Sequence, residues 1–251
     1  MRKGLRLGVA VSLLVSGSLA GAMGKAVSYK SGEETVSGYL SLPAGTGKHP
    51  ALVVIHEWWG LNDWVRGRAD RFARDGYVSL AVDLYRGKSA GTDPDLAHQL
   101  MRGMPEDRAI RDLKAAFDFL AARSDVDASR IGSIGWCMGG GYSLALAIEE
   151  PKLSACVINY GRLVTEPKTI AGIHAPLLGN FGAEDQGIPP SSVEEFDKAA
   201  RAAGKIVDFK IYPGAGHGFA SSPDPKIYRP TEARDANARI DQFFAKILKK
   251  G

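Results

Sequence analysis

Cysteine is scarce: Cys137 and Cys156 are the only two in 251 residues. A dense disulfide framework is thereby excluded, and a single bridge needs two Cα atoms within roughly 7 Å and converging Cβ vectors. No pairing is expected, because Cys156 lies in the apolar, strand-like run 153–158 while Cys137 lies in a turn. C-x-x-C, H-x-x-x-H and H-E-x-x-H spacings are missing, which removes the common zinc sites. Glycines 132, 135, 139, 140 and 141 do not spell G-x-G-x-x-G, so the dinucleotide fingerprint is missing too. No metal and no cofactor is expected. There is also no internal repeat and no low-complexity linker.

Charge of one sign is not concentrated anywhere. Lys and Arg number 32 against 28 Asp and Glu, they are interspersed, and only residues 246–250 form a small basic cluster. That cluster reads as a helix end, where cations complement the dipole, and no nucleic-acid partner is expected. Three of the positive charges, Arg2, Lys3 and Arg6, belong to the N-terminus, where they precede the apolar stretch 7–23. Basic residues, an apolar stretch and a small-residue exit are the parts of a secretory signal peptide. Cleavage is expected near Ala22 or Ala26. The stretch is short for a bilayer span and is broken by Ser12, Ser16, Gly17 and Ser18. The mature chain is therefore expected to be secreted or periplasmic, with no stable membrane span, as one domain over 27–251 and a monomer.

Beyond the targeting segment, residues 26–42 read as an antiparallel pair around Ser31-Gly32. From residue 51 onward, strand-like runs at 51–55, 77–82, 131–135, 155–159, 176–181 and 205–212 alternate with amphipathic helical runs. Strands alternating with helices predict an α/β fold with a mostly parallel central sheet and helices on both faces. Two Gly/Pro-bearing excursions, 86–105 and 219–230, are too long for plain connections and suit binding loops.

The segment Gly135-Trp136-Cys137-Met138-Gly139 places the thiol between a β-branched run and a small-residue helical run. A Gly-x-Cys-x-Gly turn is the layout of a nucleophile elbow, whose flanking residues must be small to let the chain pass closely. A thiol nucleophile needs a base and a group that fixes the base's tautomer. Asp185, after the strand-like run 177–181, and His217, after the run ending at 212, follow in that order. Nucleophile, acid, histidine is the chain order of α/β-hydrolases, and the ends of parallel strands converge on one rim.

Together these segments resemble the dienelactone hydrolase (carboxymethylenebutenolidase) family. The motifs are Gly135-Trp136-Cys137-Met138-Gly139-Gly140, His56-Glu57-Trp58-Trp59-Gly60, Asp83-Leu84-Tyr85-Arg86 and Gly216-His217-Gly218-Phe219. The resemblance spans about 27–248. It implies an α/β-hydrolase fold, a Cys137–His217–Asp185 triad, and hydrolysis of a small ester or lactone through a thioester. It further implies that Glu57 hydrogen-bonds the thiol and influences when the thiolate forms. The backbone N–H groups of Met138 and Trp58 are the expected oxyanion donors. Trp59, Tyr85 and Phe219, with Trp58 and Trp64, are expected to line the substrate pocket.

One departure stands out. The family's lactone hydrolases hold the substrate carboxylate with two arginines; Arg86 is expected to supply the first, displaced by a residue, and the second position is Ser221. Serine cannot reproduce a guanidinium fork. Two other readings stay open: a broad carboxylesterase, and a binding or thiol-sensing protein that keeps the fold without turnover.

Overall fold

The computed structural model describes residues 24–249; the expected signal segment, 1–22, lies outside them. Alternation along β3 (His49–Ile55) sets the architecture. Val53 and Ile55 enter one apolar cluster, and Leu52 and Val54 enter another. A strand buried on both faces requires a covering layer on each side. Here the strands are β1 (Lys25–Ser31), β2 (Glu34–Ser41), β3, β4 (Val78–Val82), β5 (Val126–Trp136), β6 (Ala155–Asn159), β7 (Leu177–Gly182) and β8 (Val207–Tyr212). They form one sheet in the order β1-β2-β4-β3-β5-β6-β7-β8. β1, β2 and β4 pair antiparallel, and every pairing from β4 to β8 is parallel.

The helices are α1 (Asp63–Arg74), α2 (Pro94–Arg102), α3 (Glu106–Ala121), α4 (Met138–Glu149), α5 (Pro167–Ala171), α6 (Pro190–Ala202) and α7 (Pro230–Leu248). Leu113, Phe117, Leu144 and Phe196 place α3, α4 and α6 on one face. Val65, Phe72, Ile240 and Phe244 place α1 and α7 on the other. Each such side chain stabilises its layer by about 1.5–3 kcal/mol on full burial. This is the α/β-hydrolase arrangement expected from the sequence.

Differences from the expected elements lie at edges and in the excursions. α2 forms inside 86–105 because Asp93 caps it, accepting from the N–H groups of Asp95 and Leu96, and Pro94 occupies its first turn. α5 was not expected; it is one short turn begun by Glu166 and Pro167. β5 starts five residues before the apolar run because Val126 pairs with His49 ahead of a bulge, while Ser129 donates to Asp127 Oδ1 along the polar stretch. Cys156 is fully buried in β6, its thiol beside Ser143, and burial pushes it up to about 11. Both cysteines are free.

Side chains also lace the carboxyl ends of the central strands. Asn159 Nδ2 donates to the Gly135 carbonyl at 3.0 Å and Asn180 Nδ2 donates to Asn159 Oδ1 at 2.9 Å. Arg239, from α7, completes the row by donating to Asn180 Oδ1 at 2.5 Å. Among the described residues no helix is long and apolar enough to cross a membrane.

Candidate active site

The turn from β5 into α4 is tight enough to dictate its own sequence. A Cβ on Gly135 would lie 1.9 Å from the Gly139 carbonyl oxygen, and one on Gly139 would lie 2.5 Å from that of His56. Only glycine fits at both. Between them Cys137 adopts φ 53° and ψ −121°, a conformation that costs a non-glycine residue on the order of 1–3 kcal/mol. The neighbouring strands hold it there: its N–H donates to Asn159 O at 3.0 Å, and its own carbonyl accepts from Gly140 and Gly141. Cys137 is thus the N-cap of α4, and Met138 is its first residue. The N–H groups of a first helical turn have no intrahelical acceptor, so that of Met138 is free to serve a ligand.

Asp185 and His217 reach the same rim from loops after β7 and β8. Asp185 is buried, at 3% exposure. Its Oδ1 accepts from the N–H groups of Gly187 and Ile188, both at 2.9 Å, and its Oδ2 meets His217 Nδ1 at 2.7 Å. Burial alone would raise this carboxyl, but the His217 and backbone donors outweigh it and hold it below its ordinary value. His217 shows the converse balance. Burial pushes it down, yet the Asp185 hydrogen bond and the hydrogen bond and charge of Cys137 raise it to about 10. With Nδ1 committed to Asp185, Nε2 is the nitrogen left for Cys137. The structure therefore brings together all three residues expected from chain order.

Glu57, at the end of β3, is placed differently from its expected contact. Its Oε1 accepts from the Ser221 hydroxyl at 2.7 Å, and Ser221 in turn accepts from the Tyr160 hydroxyl at 2.9 Å. Burial raises the Glu57 carboxyl, opposed by Ser221 and by the charge of His217. Tyr160 is wholly buried at φ 38°, with its ring edge-on to His217 at 5.3 Å. Burial, reinforced by the nearby Glu57, raises its phenol well above the usual range, so it stays a neutral donor. Neither Tyr160 nor the role of Ser221 was legible in the sequence, since a buried phenol in a strand end looks like ordinary core.

None of the expected pocket residues lines the cavity beside the thiol. That cavity, of about 600 Å³, opens on Cys137 and Met138. Tyr85 does not line it; it is buried in the core behind Met138, its hydroxyl 3.4 Å from Met138 Sδ. Trp58 and Trp59 pack on each other at 4.7 Å, and Trp58 also meets His98 of α2, so this pair joins the β3 loop to α2. Phe219 is fully buried against Tyr160 and Tyr212 and belongs to the core. Trp64 packs on Trp136 with Arg68, in the opposite layer. Arg86 is not brought to the site: it bonds Glu34 at 2.7 Å and the buried Asp112 at 2.9 Å, beside the β1–β2 hairpin. Its left-handed backbone, φ 57°, turns it that way. His56 is also occupied structurally. Its Nδ1 meets Glu57 O at 2.5 Å and its Nε2 accepts from Leu84 N–H, tying the ends of β3 and β4.

The profile of the dienelactone hydrolase family matches residues 36–248. The chain belongs to this family. A protein of Methylorubrum extorquens named as a candidate carboxymethylenebutenolidase is 32% identical over 222 residues, covering 83% of this chain and 76% of its own. Among solved structures, a dienelactone hydrolase candidate of Klebsiella pneumoniae superposes with a TM-score of 0.79 at 29% identity, covering 89% of this chain and 99% of that one. A dienelactone hydrolase-like promiscuous phosphotriesterase from metagenomic libraries gives 0.81 at 26%, covering 91% and 100%.

Proposed function

We propose that this dienelactone hydrolase family member is an exported, cysteine-dependent hydrolase of a small ester or lactone, acting through a thioester. The protein is an enzyme of the carboxylic ester hydrolase class, with a small organic ester or lactone as its partner. The observation that carries the mechanism is the convergence of Cys137, His217 and Asp185 on one rim, with the 2.7 Å His217–Asp185 bond fixing which imidazole nitrogen faces the thiol.

In this reading His217 Nε2 takes the thiol proton and the Cys137 Sγ electron pair attacks the ester carbonyl. The oxygen charge that develops is met by the N–H groups of Met138 and Trp58. The tetrahedral species collapses, the C–O bond to the leaving alkoxide breaks, and His217 returns the proton to that oxygen. Water, deprotonated by His217, then attacks the thioester and releases the acid, restoring the thiol. Glu57 acts in this reading through His217, whose charge it faces.

Trapping tests it. Rapid quench with an aryl ester, followed by intact-mass analysis, should show one acyl group on Cys137. Cys137→Ala and His217→Ala should each abolish turnover, Asp185→Asn should lower kcat by about 10⁴ as in serine triads, and Cys156→Ala should leave it nearly intact. Normal turnover by Cys137→Ala refutes the proposal.

A further inference from the structure

The cavity beside Cys137 combines apolar walls with an excess of carboxylates. Its walls are apolar: Met101 at the end of α2, Ile110 of α3, Tyr142 and Ile148 of α4, and Leu163 and Val164 after β6. A concave apolar site of this size holds a small organic ligand, and its few polar groups decide orientation and specificity. The charged side chains lining it are Glu106, Glu149 and Glu166 against the single guanidinium of Arg162. Neither Arg86 nor Ser221 lines the cavity, and both are committed elsewhere. Arg86 is held by Glu34 and Asp112, and Ser221 is held between Tyr160 and Glu57.

We infer that this cavity takes an uncharged, apolar acyl group and disfavours esters that carry a carboxylate. The inference deepens the hydrolase reading above and rests on it for the identity of the reaction. A carboxylate entering the cavity exchanges water for one exposed guanidinium, which is a weak partner when solvated. It simultaneously faces three carboxylates, each exposed and screened like the guanidinium but outnumbering it three to one. An alkyl or aryl group loses nothing to those charges and gains the apolar wall.

Two measurements decide this independently. In the first, kcat/KM is compared for 4-nitrophenyl butyrate and mono-4-nitrophenyl succinate, which share a leaving group and differ in the terminal carboxylate. In the second, Cys137 is alkylated with iodoacetamide and with iodoacetate, each rate divided by that of free cysteine, so turnover is not needed. The neutral reagent should be favoured about tenfold in both, the size expected when a few exposed charges act together. Glu106→Gln with Glu149→Gln should narrow the gap about threefold, and Arg162→Gln should widen it. The cavity variants decide whether the discrimination arises at its charged side chains. A preference for the anionic reagents, or a gap that none of the cavity variants moves, overturns the inference. If alkylation shows the variant-dependent preference while no ester is hydrolysed, the cavity assignment stands and the hydrolase reading fails.

Discussion

The Ser221 hydroxyl donates to Glu57 Oε1 across 2.7 Å. A hydroxyl orients this partly buried carboxyl without supplying a cation of its own to hold it ionised. The Glu57 carboxyl accordingly lies above its ordinary value, with burial the larger cause.

Ser221→Ala removes that donor and leaves Tyr160 without its acceptor. The loss of a hydrogen bond to a partly buried carboxyl corresponds to about 1–3 kcal/mol, or roughly 5- to 150-fold in kcat/KM. Since Ser221 lowers the Glu57 value, its removal raises it further, and the acid limb of the Cys137 alkylation rate should move to higher pH. Ser221→Thr should restore the limb. An unchanged pH profile in Ser221→Ala would separate Glu57 from thiol activation.

Glu57→Gln should stabilise the fold at neutral pH while impairing turnover. A carboxyl whose folded value exceeds its unfolded one binds more protons when folded, so stability falls as pH rises from about 4.5 through the folded value. The variant lacks that cost, and its advantage, on the order of 1 kcal/mol, should be present at pH 7–8 and vanish near pH 4. Urea unfolding at the two pH values measures it.

Arg86→Ala should act on stability and not on substrate recognition. It strands Asp112, which is 2% exposed and otherwise bonded to Ser31 and flanked by Arg111. A loss of about 1–3 kcal/mol in urea unfolding is expected, with KM for a neutral ester within about twofold of wild type. A large rise in KM at normal stability would return Arg86 to the binding site.

Under the proposed export, the mature N-terminus should be Met23. Gly24 N–H donates to Asp70 Oδ1 at 2.9 Å, and Lys25 and Ala26 pair with Leu40 and Tyr39. Cleavage after Ala26 would remove all three interactions, whereas cleavage after Ala22 keeps them. Intact mass of the secreted protein distinguishes the two, and a chain beginning at Val27 contradicts this expectation.

What the sequence made legible was whatever repeats in pattern or is forced by sterics. The alternation of Leu52, Val53, Val54 and Ile55 announces a strand buried on both faces, and Gly135 and Gly139 announce a turn that only glycine fits. Chain order then placed Cys137, Asp185 and His217 on one rim. Side-chain direction was not legible. Arg86 stands where the motif suggests a substrate contact, but its positive φ turns it to Glu34 and Asp112. Phe219 follows the histidine closely and yet faces the core, because adjacent loop residues point to different sides. The Tyr160–Ser221–Glu57 chain joins residues 61 and 164 positions apart, and no local signal encodes such a contact.

The row formed by Gly135, Asn159, Asn180 and Arg239 has a consequence for how this enzyme changes over evolutionary time. Strands usually fray first at their ends, which is where the reacting groups must sit. Here side-chain amides fasten those ends to one another and to α7. The reacting rim is thereby braced by the sheet and not by the excursions that wall the cavity, so amide exchange at Cys137 and Tyr160 should track global unfolding. The segment carrying α5 can thus vary with the acyl group more freely than that carrying α2, whose His98 packs on Trp58.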